Sequence, residues 1–573
     1  MIRKVMESCV KCIAVAQSCG RRGRTGIYEN KWPVFAMLSI ILSCCGPARG
    51  QTDTGAHYDI VIRGGCVLDG AGNPCIFADV AIQNGRFAKI GKIEEPGTSE
   101  LDARGRDVSP GWIDMMDQSG EVLPKNGLAE NKLMEGVTTA IAGEGGTPVP
   151  VEQLRDYWHA LEKGGISLNF GTYFSETQAR IAVLGYQSRE PNADELTKMK
   201  SILQLAMENG ALGMTTALIY PPSSYATTPE LIEMAKVAAK YGGIYASHMR
   251  GEGKELVQSV DELIEIAEKG GLPGEVFHFK AAYSPGWGKL MGEAGEHINA
   301  ARARSVDVAA DLYVYTAGGT GLEATIPSWA HEGGQEALFK RLADPLVRDR
   351  LKRETVTGSP GWWNIIEASG GWQNIVLVNA QNPDNAKFQG HTIADIATAL
   401  HKDPADAAFD LVAQVKSGRV LAIYHMMSEQ DIQTALRFPW TSIGSDAGTA
   451  LTPGGDDALG LPHPRSYGNF PRVIAKYVKD THTLTLEDAI RKMTSWPATR
   501  MRIADRGLIR TGMWADAVIF DYNRIQDRAT YENPDLTPDG IDYVLVNGQI
   551  VIDHGKHTGK RPGKILYGPG YRN

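Results

Sequence analysis

The stretch Gly243-Ile-Tyr-Ala-Ser-His248 is a strand-like run that ends in a histidine. Two further runs follow the same design, Glu275-Val-Phe-His278 and Thr441-Ser-Ile-Gly-Ser-Asp446, and each ends in a side chain that can bind a metal or carry a proton. Helical patterns lie between such runs, for example over Asp194–Glu208 and Pro229–Lys240. Because strands and helices alternate from about residue 109 to about residue 505, the sequence predicts an α/β protein with a (β/α)8 TIM-like barrel.

The remaining predicted strands of this middle region include Val137–Ala142, Val306–Asp311 and Val420–Tyr424. The stretch from about Gly318 to Pro383 interrupts the alternation and is rich in tryptophan and glycine. We therefore expect an insertion there, near the mouth of the barrel.

Both ends of the globular part are rich in short β-patterns. Asn84-Gly85 lies between two apolar runs near the start, and Asn547-Gly548 does so near the end. Asn-Gly between alternating apolar runs is a strong hairpin signal. The sequence predicts one small β-sandwich, built from residues 51–108 and 506–573.

The first fifty residues have a different character. A basic stretch precedes an apolar run from Trp32 to Leu42, and small residues follow up to Gly50. This order is typical of a secretory signal, and an eleven-residue run is too short to span a bilayer. We expect residues 1–50 to be a targeting segment and the protein to be exported, periplasmic or secreted; a lipid anchor at Cys44 is the less favoured alternative.

The cysteines agree with this expectation. Of seven, only Cys66 and Cys75 lie beyond the targeting segment, on either side of a turn-like stretch. A disulfide between them would suit an oxidising compartment. They lie too far from every other candidate ligand to form a zinc cluster.

Composition excludes some classes of function. The chain of 573 residues carries a net charge of −8 with 22% charged and 43% hydrophobic residues. This mild acidity gives no reason to expect nucleic acid or an anionic membrane as a partner. The oligomeric state is left open by the sequence.

The candidate metal-binding and catalytic residues lie at or just past the ends of predicted strands. His248 and His278 end two predicted strands, Asp446 ends a third, and Glu144 lies just past a fourth. Catalytic groups of barrels gather at the carboxyl ends of strands, and catalytic zinc takes three protein ligands plus water. Glu144, His248 and His278 meet that count, which leaves Asp446 free to accept a proton. The alternative for Glu144 is that it only caps a turn.

The sequence resembles the amidohydrolase superfamily, and within it the N-acyl-D-amino-acid deacylases (D-aminoacylases). The resemblance runs from Tyr58 to Leu566. The motifs that carry it are Ser109-Pro-Gly-Trp-Ile-Asp114, Gly136-Val-Thr-Thr-Ala-Ile-Ala-Gly143, Tyr245-Ala-Ser-His-Met-Arg-Gly-Glu252, Val276-Phe-His-Phe-Lys280, Ile443-Gly-Ser-Asp446, His463-Pro-Arg-Ser-Tyr-Gly-Asn-Phe-Pro-Arg472, Ala489-Ile-Arg-Lys-Met-Thr-Ser495, Asp505-Arg-Gly-Leu-Ile-Arg-Thr-Gly-Met513 and Asp553-His-Gly-Lys-His-Thr-Gly559.

Two departures from the family pattern concern the metals. Members usually carry His-x-His for a second, α metal where this chain has Met116-Asp-Gln118, so we expect that second site to be empty. D-aminoacylases usually place a cysteine on the catalytic β metal, where this chain has Gly145. The adjacent Glu144 is the expected replacement, so the resemblance implies one Zn2+ per chain, in the β-type site.

The resemblance also implies a substrate site. Lys280, Tyr220, Tyr313 or Tyr315, and Arg465 would hold the α-carboxylate of the substrate; the alternatives for Lys280 are a carbamylated metal bridge or a plain salt bridge. Arg250 and Glu252 are expected to pair with each other or with neighbours, and His425 to be structural or to support the site indirectly.

The function that follows is zinc-dependent hydrolysis of N-acyl amino acids, with the D-enantiomer favoured, by metal-activated water with Asp446 as general base and acid. A dipeptidase or cyclic-amide hydrolase of the same superfamily is the alternative. A catalytically dead binding protein is the third hypothesis.

Overall fold

The computed structural model describes residues 57–415, 418–450 and 461–572. The predicted targeting segment, residues 1–50 with Cys44, lies outside the described residues. Among the described helices, none combines the length and the apolar character that crossing a bilayer requires.

A nine-stranded sheet unites the two ends of the described chain. Its strands are β1 (Tyr58–Val67), β2 (Ile76–Gln83), β3 (Arg86–Gly91), β4 (Gly97–Asp102), β5 (Asp107–Pro110), β18 (Ala517–Phe520), β19 (Ile541–Val546), β20 (Gln549–Asp553) and β21 (Lys556–His557). The halves join where β5 pairs antiparallel with β18. The sandwich domain predicted from both termini is therefore present.

Both predicted hairpins are present. Asn84 and Gly85 turn the chain between β2 and β3 with φ of 52° and 75°, and Asn547 and Gly548 do so between β19 and β20 with φ of 48° and 74°. Two successive positive φ angles are what a two-residue hairpin loop needs, and Asn-Gly adopts them at low cost. Cys66 and Cys75, at the other end of β1 and β2, are joined by a disulfide with a Cα–Cα distance of 5.4 Å.

The middle of the chain forms the barrel. Its strands are β6 (Trp112–Asp117), β7 (Val137–Ala142), β8 (Asn169–Thr172), β9 (Phe174–Ser175), β10 (Gly213–Ala217), β11 (Ile244–His248), β12 (Gly274–Val276), β13 (Val308–Leu312) and β17 (Thr441–Ile443). Neighbours in this order pair in parallel, except that β8 and β9 follow each other along the chain with only Tyr173 between them and together take the place of one barrel strand. A parallel bridge from Asp117 to Ala447 connects the first strand to the segment after the last. The predicted (β/α)8 barrel is confirmed.

Helices alternate with these strands and cover them. They are α1 (Glu130–Met134), α2 (Leu154–Gly164), α3 (Glu176–Leu184), α4 (Ala193–Glu208), α5 (Thr228–Lys240), α6 (Leu256–Gly270), α7 (Leu290–Ala303), α13 (Glu429–Arg437), α14 (Arg465–Arg472), α15 (Leu486–Met493) and α16 (Ser495–Arg500). The predicted helices at Asp194–Glu208 and Pro229–Lys240 correspond to α4 and α5. Inside the ring of strands, Met116, Ile141, Tyr173 and Phe277 belong to one buried cluster, as expected for the packed interior of a closed barrel.

Between β13 and β17 the chain leaves the barrel and builds a separate layer. It contains the antiparallel strands β14 (Ala317–Gly321), β15 (Ile375–Asn379) and β16 (Leu421–His425), and the helices α8 (Gln335–Ala343), α9 (Pro345–Thr357), α10 (Ile365–Ala368), α11 (Ile393–Leu400) and α12 (Pro404–Ala413). This layer has its own core, which includes Ile326, Leu338, Phe409 and Tyr424.

One sequence prediction is wrong here. The run Val420–Tyr424 forms a strand, but β16 pairs antiparallel with β14 and β15 and takes no part in the barrel. An apolar run of five residues looks the same in either kind of sheet, because local pattern does not specify the partner strand. The elements outside the barrel therefore continue to His425, past the expected end of the insertion near Pro383.

Candidate active site

Four side chains gather where barrel strands end. His248 is the last residue of β11, Glu144 lies two residues past β7, His278 two past β12, and Asp446 three past β17. His278 and Asp446 have φ of 38° and 51°, in the left-handed region that non-glycine residues rarely adopt. Such backbone strain persists only where neighbouring groups hold it, and it is common at functional sites. Here a carboxylate oxygen of Asp311 accepts from the amide of His278 at 2.8 Å, and the Met116 carbonyl accepts from that of Asp446 at 2.8 Å.

Glu144, His248 and His278 converge on one point. Their ligand atoms all lie within 4.8 Å of one another, and no other group of at least three His, Cys, Asp or Glu side chains does so in the described chain. Oε1 of Glu144 lies 2.8 Å from Nδ1 of His248 and 3.4 Å from Nε2 of His278. The two histidine nitrogens are 2.9 Å apart. Two imidazole nitrogens and one carboxylate oxygen form a donor set suited to catalytic zinc.

Two effects set the pKa values of the triad: burial and the charge of neighbouring groups. Burial opposes the charged form of Glu144, but hydrogen bonds with both histidines hold the pKa of its carboxyl well below the usual range. Burial lowers the pKa of His248. Burial and Lys280 also act to lower the pKa of His278, but the carboxylates of Glu252 and Glu144 outweigh them and raise it to about 9.

Glu252 lies near the ring nitrogens of both histidines that do not face Glu144. Its Oε1 lies 3.0 Å from Nδ1 of His278 and 2.6 Å from Nζ of Lys280, and its Oε2 lies 3.6 Å from Nε2 of His248. A carboxylate on the far nitrogen of a ligand histidine fixes the orientation of the ring and makes it a better donor. This contact with the histidines is not predictable from the sequence pattern. Arg250 and Glu252 were expected to pair with each other or with neighbours, and they pair with neighbours: Arg250 lies 2.9 Å from Glu262, and Glu252 lies 2.6 Å from Lys280.

Lys280 lies beside the triad and lines the cavity, and it forms a salt bridge with Glu252, one of the alternatives that the sequence left open for it. Strand β12 already ends at Val276, so a turn sets the position of Lys280. The turn at His278 brings Nζ of Lys280 to 2.6 Å from Nδ1 of that histidine. With Glu252 also at 2.6 Å, the ammonium group is fixed at the wall of the site.

The place of the usual His-x-His is taken by non-ligands. Met116 is buried in the apolar cluster inside the barrel. The amide nitrogen of Gln118 donates to Oε2 of Glu144 at 2.8 Å and to Oδ1 of Asp446 at 3.3 Å. Gln118 thus connects the triad to Asp446 by hydrogen bonds. It occupies the position of the second histidine of His-x-His, which would be a ligand of a second metal.

Asp446 and Arg465 form the other side of the site. Nη2 of Arg465 lies 2.9 Å from Oδ2 of Asp446, and the guanidinium stacks over the ring of Tyr313 at 4.5 Å. Nε and Nη1 of this arginine are buried without a hydrogen-bond partner. A buried donor left unpaired is costly, which favours an anionic ligand beside Arg465 in the cavity that it lines.

A cavity of about 510 Å³ joins these groups. Its lining includes the triad, Asp446, Gln118, Lys280, Tyr220, Tyr313 and Arg465. Tyr220 places its ring 5.2 Å from that of His248 and hydrogen-bonds to Thr320 at 2.6 Å. The strands of the inserted layer form one wall, through Thr320, Leu421 and Ile423.

Two candidate residues lie elsewhere. Tyr315 does not line the cavity; its ring packs against Tyr531, with Arg472 stacked over it at 4.7 Å. Tyr313, two residues earlier, is therefore the tyrosine of this pair that reaches the site. His425 also lies off the cavity and packs against Tyr531 at 5.0 Å, which agrees with a structural role.

Comparison with known proteins gives a consistent result. Residues 392–552 match the profile of the Amidohydrolase family. N-acyl-D-glutamate deacylase of Alcaligenes xylosoxydans xylosoxydans is 32% identical over 89% of this chain and 96% of its own length. D-aminoacylase of the same organism is 30% identical over 89% of this chain and 97% of its own length.

A solved structure agrees in three dimensions. The crystal structure of N-acyl-D-glutamate deacylase from Bordetella bronchiseptica, complexed with zinc and a phosphonate inhibitor that mimics the tetrahedral intermediate, matches with a TM-score of 0.74. The identity is 28%, and the match covers 89% of this chain and 100% of that chain. With these relatives aligned along most of its length, the chain belongs to the N-acyl-D-amino-acid deacylase family of the amidohydrolases.

Proposed function

We propose that the protein hydrolyses N-acyl-D-amino acids to a free D-amino acid and a carboxylic acid, with one zinc ion held by Glu144, His248 and His278. The observation that carries this proposal is the convergence of these three donors, within 4.8 Å, at a cavity that also contains Asp446. The preference for D-amino acids is drawn from the relatives, which are named as deacylases of N-acyl-D-amino acids.

The residues present fit a single zinc ion. Three protein donors of these types are what a catalytic zinc site uses, and water would complete the coordination. Bound there, zinc would supply a water of lowered pKa and a Lewis acid for the amide carbonyl. Gln118 and Met116 offer no ligand of the kind a second zinc ion would use. This supports one metal per chain and counts against the dipeptidase and cyclic-amide alternatives, which mostly use two.

Asp446 is the proton carrier in this proposal. Its carboxylate is connected through Gln118 to Glu144, so it lies beside the metal position without belonging to the triad. It would accept the proton of the attacking water and deliver it to the amide nitrogen as the carbon–nitrogen bond breaks. Hydrogen bonds from Gln118 and Arg465 hold the carboxylate in place for both transfers.

Arg465 is the proposed anchor of the substrate carboxylate. One of its nitrogens stays on Asp446, while Nε and Nη1 are unpaired. Stacking on Tyr313 fixes the guanidinium plane, so little freedom is lost when a carboxylate binds. Lys280 adds a fixed positive charge. Tyr220 was also expected to hold the carboxylate; because its hydroxyl hydrogen-bonds to Thr320 and its ring packs against His248, we assign it the role of shaping the cavity instead.

The direct test is a screen of N-acetyl-D- and N-acetyl-L-amino acids, with zinc content measured on the same preparation. We expect turnover of the D-series, at least 100-fold faster than of the L-series, with about one zinc per chain. Turnover of neither series by zinc-loaded protein, or turnover of cyclic amides only, would contradict the proposal.

We further propose that the mature protein is exported. The disulfide between Cys66 and Cys75 supports this, because such bonds persist in oxidising compartments. Cell fractionation should place the activity in the periplasm or the medium; activity confined to the cytoplasm would contradict export.

A further inference from the structure

A second cavity adjoins the active site. It has a volume of about 470 Å³, and we call it the side chamber. It shares Gly145, Ala217, Ile219, Tyr220 and Arg419 with the lining of the active-site cavity. The side chamber therefore begins one residue from the metal ligand Glu144, and the two cavities share a wall.

Part of the wall that the inserted layer contributes to the side chamber is apolar. Ile326, Leu338 and Val420 line it from the inserted layer, where each is buried in that layer's core. Phe339 and Trp362 are partly buried and add aromatic surface. Burying an aliphatic chain against such a wall is favourable in proportion to the area removed from water.

Two charged side chains line the side chamber, Glu323 and Arg419, and they pair with each other. Arg419 forms an ion pair with Glu323, and its guanidinium lies 5.3 Å from the centre of the Tyr220 ring. This leaves no unpaired cation there to favour an anionic guest. The unpaired arginine nitrogens of the site belong to Arg465, which does not line the side chamber.

The geometry of the amide decides which part of a substrate faces the side chamber. In a trans amide the amino-acid Cα and the first carbon of the acyl chain lie on opposite sides of the carbon–nitrogen bond. Arg465 lines only the active-site cavity, whereas Tyr220 and Gly145 line both cavities, so an acyl chain directed away from the carboxylate anchor would meet the wall that the cavities share. Apart from its two chain neighbours, no atom lies within 4 Å of the position that a Cβ at Gly145 would take, so this part of the shared wall is not packed.

We propose that the side chamber binds the acyl chain, and that the preferred substrates are N-acyl-D-amino acids with medium or long linear acyl groups. This inference rests on the proposed function and adds the class of acyl group. The reaction is unchanged: water adds to the acyl carbon, the carbon–nitrogen bond breaks, and a fatty acid and a free amino acid leave.

The first test is a chain-length series on the zinc-loaded wild-type protein, from N-acetyl to N-octanoyl derivatives of one D-amino acid. Each buried methylene should raise kcat/KM roughly three- to fourfold, which gives at least about 100-fold over the series. Rates that are flat or that fall with chain length would overturn the inference and leave the proposed function intact. If no member of the series is cleaved, the proposed function itself fails.

The second test fills the side chamber. Ala324 is partly buried on its wall, so Ala324→Trp should reduce the octanoyl-to-acetyl ratio of kcat/KM about tenfold or more. Ala394→Trp is the matched control, because Ala394 is also partly buried in the inserted layer but does not line this cavity. An unchanged ratio in a folded, zinc-containing Ala324→Trp protein would overturn the inference.

Discussion

Two clusters of charge lie near strands β6 and β17, and they differ in how completely they are paired. In the first, Nζ of Lys132 lies 3.0 Å from a carboxylate oxygen of Asp114 and 3.0 Å from one of Asp117, and all three side chains are 0% exposed. Ser445 adds hydrogen bonds to Lys132 and Asp114. We call this group the Lys132 cluster.

The second cluster is the active site, where pairing is incomplete. Nε2 of His248 and Oε2 of Glu252 face each other at 3.6 Å, beyond hydrogen-bond distance, and two nitrogens of Arg465 are buried without a hydrogen-bond partner, whereas no atom of the Lys132 cluster lacks one. Because Arg465 lines the cavity, its two unpaired nitrogens favour an anionic ligand there. The comparison separates charge that stabilises the barrel from charge that is kept available for chemistry.

The largest expected effect is on catalysis. Asp446→Asn should lower kcat about 10⁴-fold, because the amide cannot accept the proton of the attacking water. Zinc content should remain near that of the wild type, since Asp446 is not part of the triad. Steady-state kinetics and elemental analysis on one preparation measure both. Activity within tenfold of the wild type would show that Asp446 is not the general base.

Next in size is an effect on stability. Lys132→Met should lower the free energy of unfolding by about 4 kcal/mol, because Asp114 and Asp117 would remain buried without a counter-charge. Lys92→Met is the control: Lys92 forms an exposed pair with Glu94, so its loss should cost less than about 1 kcal/mol. Urea unfolding measures both. Equal losses in the two variants would show that the Lys132 cluster does not stabilise the barrel.

The smallest effect is a pH dependence of zinc binding. The pKa of His278 is raised to about 9 in the metal-free protein. Below that pH the ring carries a proton that zinc must displace, so apparent zinc affinity should rise about tenfold per pH unit from pH 7 to pH 9. Competition with a chelator at three pH values measures this slope. An affinity independent of pH would contradict the charged state assigned to His278.

Much of this arrangement is predictable from sequence because strand ends in a barrel meet at one edge. His248, His278 and Asp446 were identified in this way, and Glu144 from its position one residue from the family's cysteine. The bounds of β7, Val137–Ala142, agree with the prediction because an apolar run between a helix and Gly143 has few alternatives.

Residues beyond the strand ends were harder to predict. Glu252 lies four residues past β11, where the direction of the chain depends on the loop, so its contact with both histidines could not be inferred from spacing. Tyr313 and Tyr315 are two residues apart, but they lie beyond the end of β13 at Leu312, where strand alternation no longer applies. The strand at β16 was assigned to the wrong sheet because pairing is a long-range property.

The central claim is that one zinc ion, in the triad of Glu144, His248 and His278, makes this protein a deacylase. The most direct test is a titration of metal-free protein with zinc, with turnover of an N-acyl-D-amino acid measured at each step. The account predicts that activity rises linearly to one equivalent and no further, and that Glu144→Ala binds zinc at least about tenfold more weakly. Activity that requires a second equivalent, or a Glu144→Ala protein that binds zinc as tightly as the wild type, would contradict it.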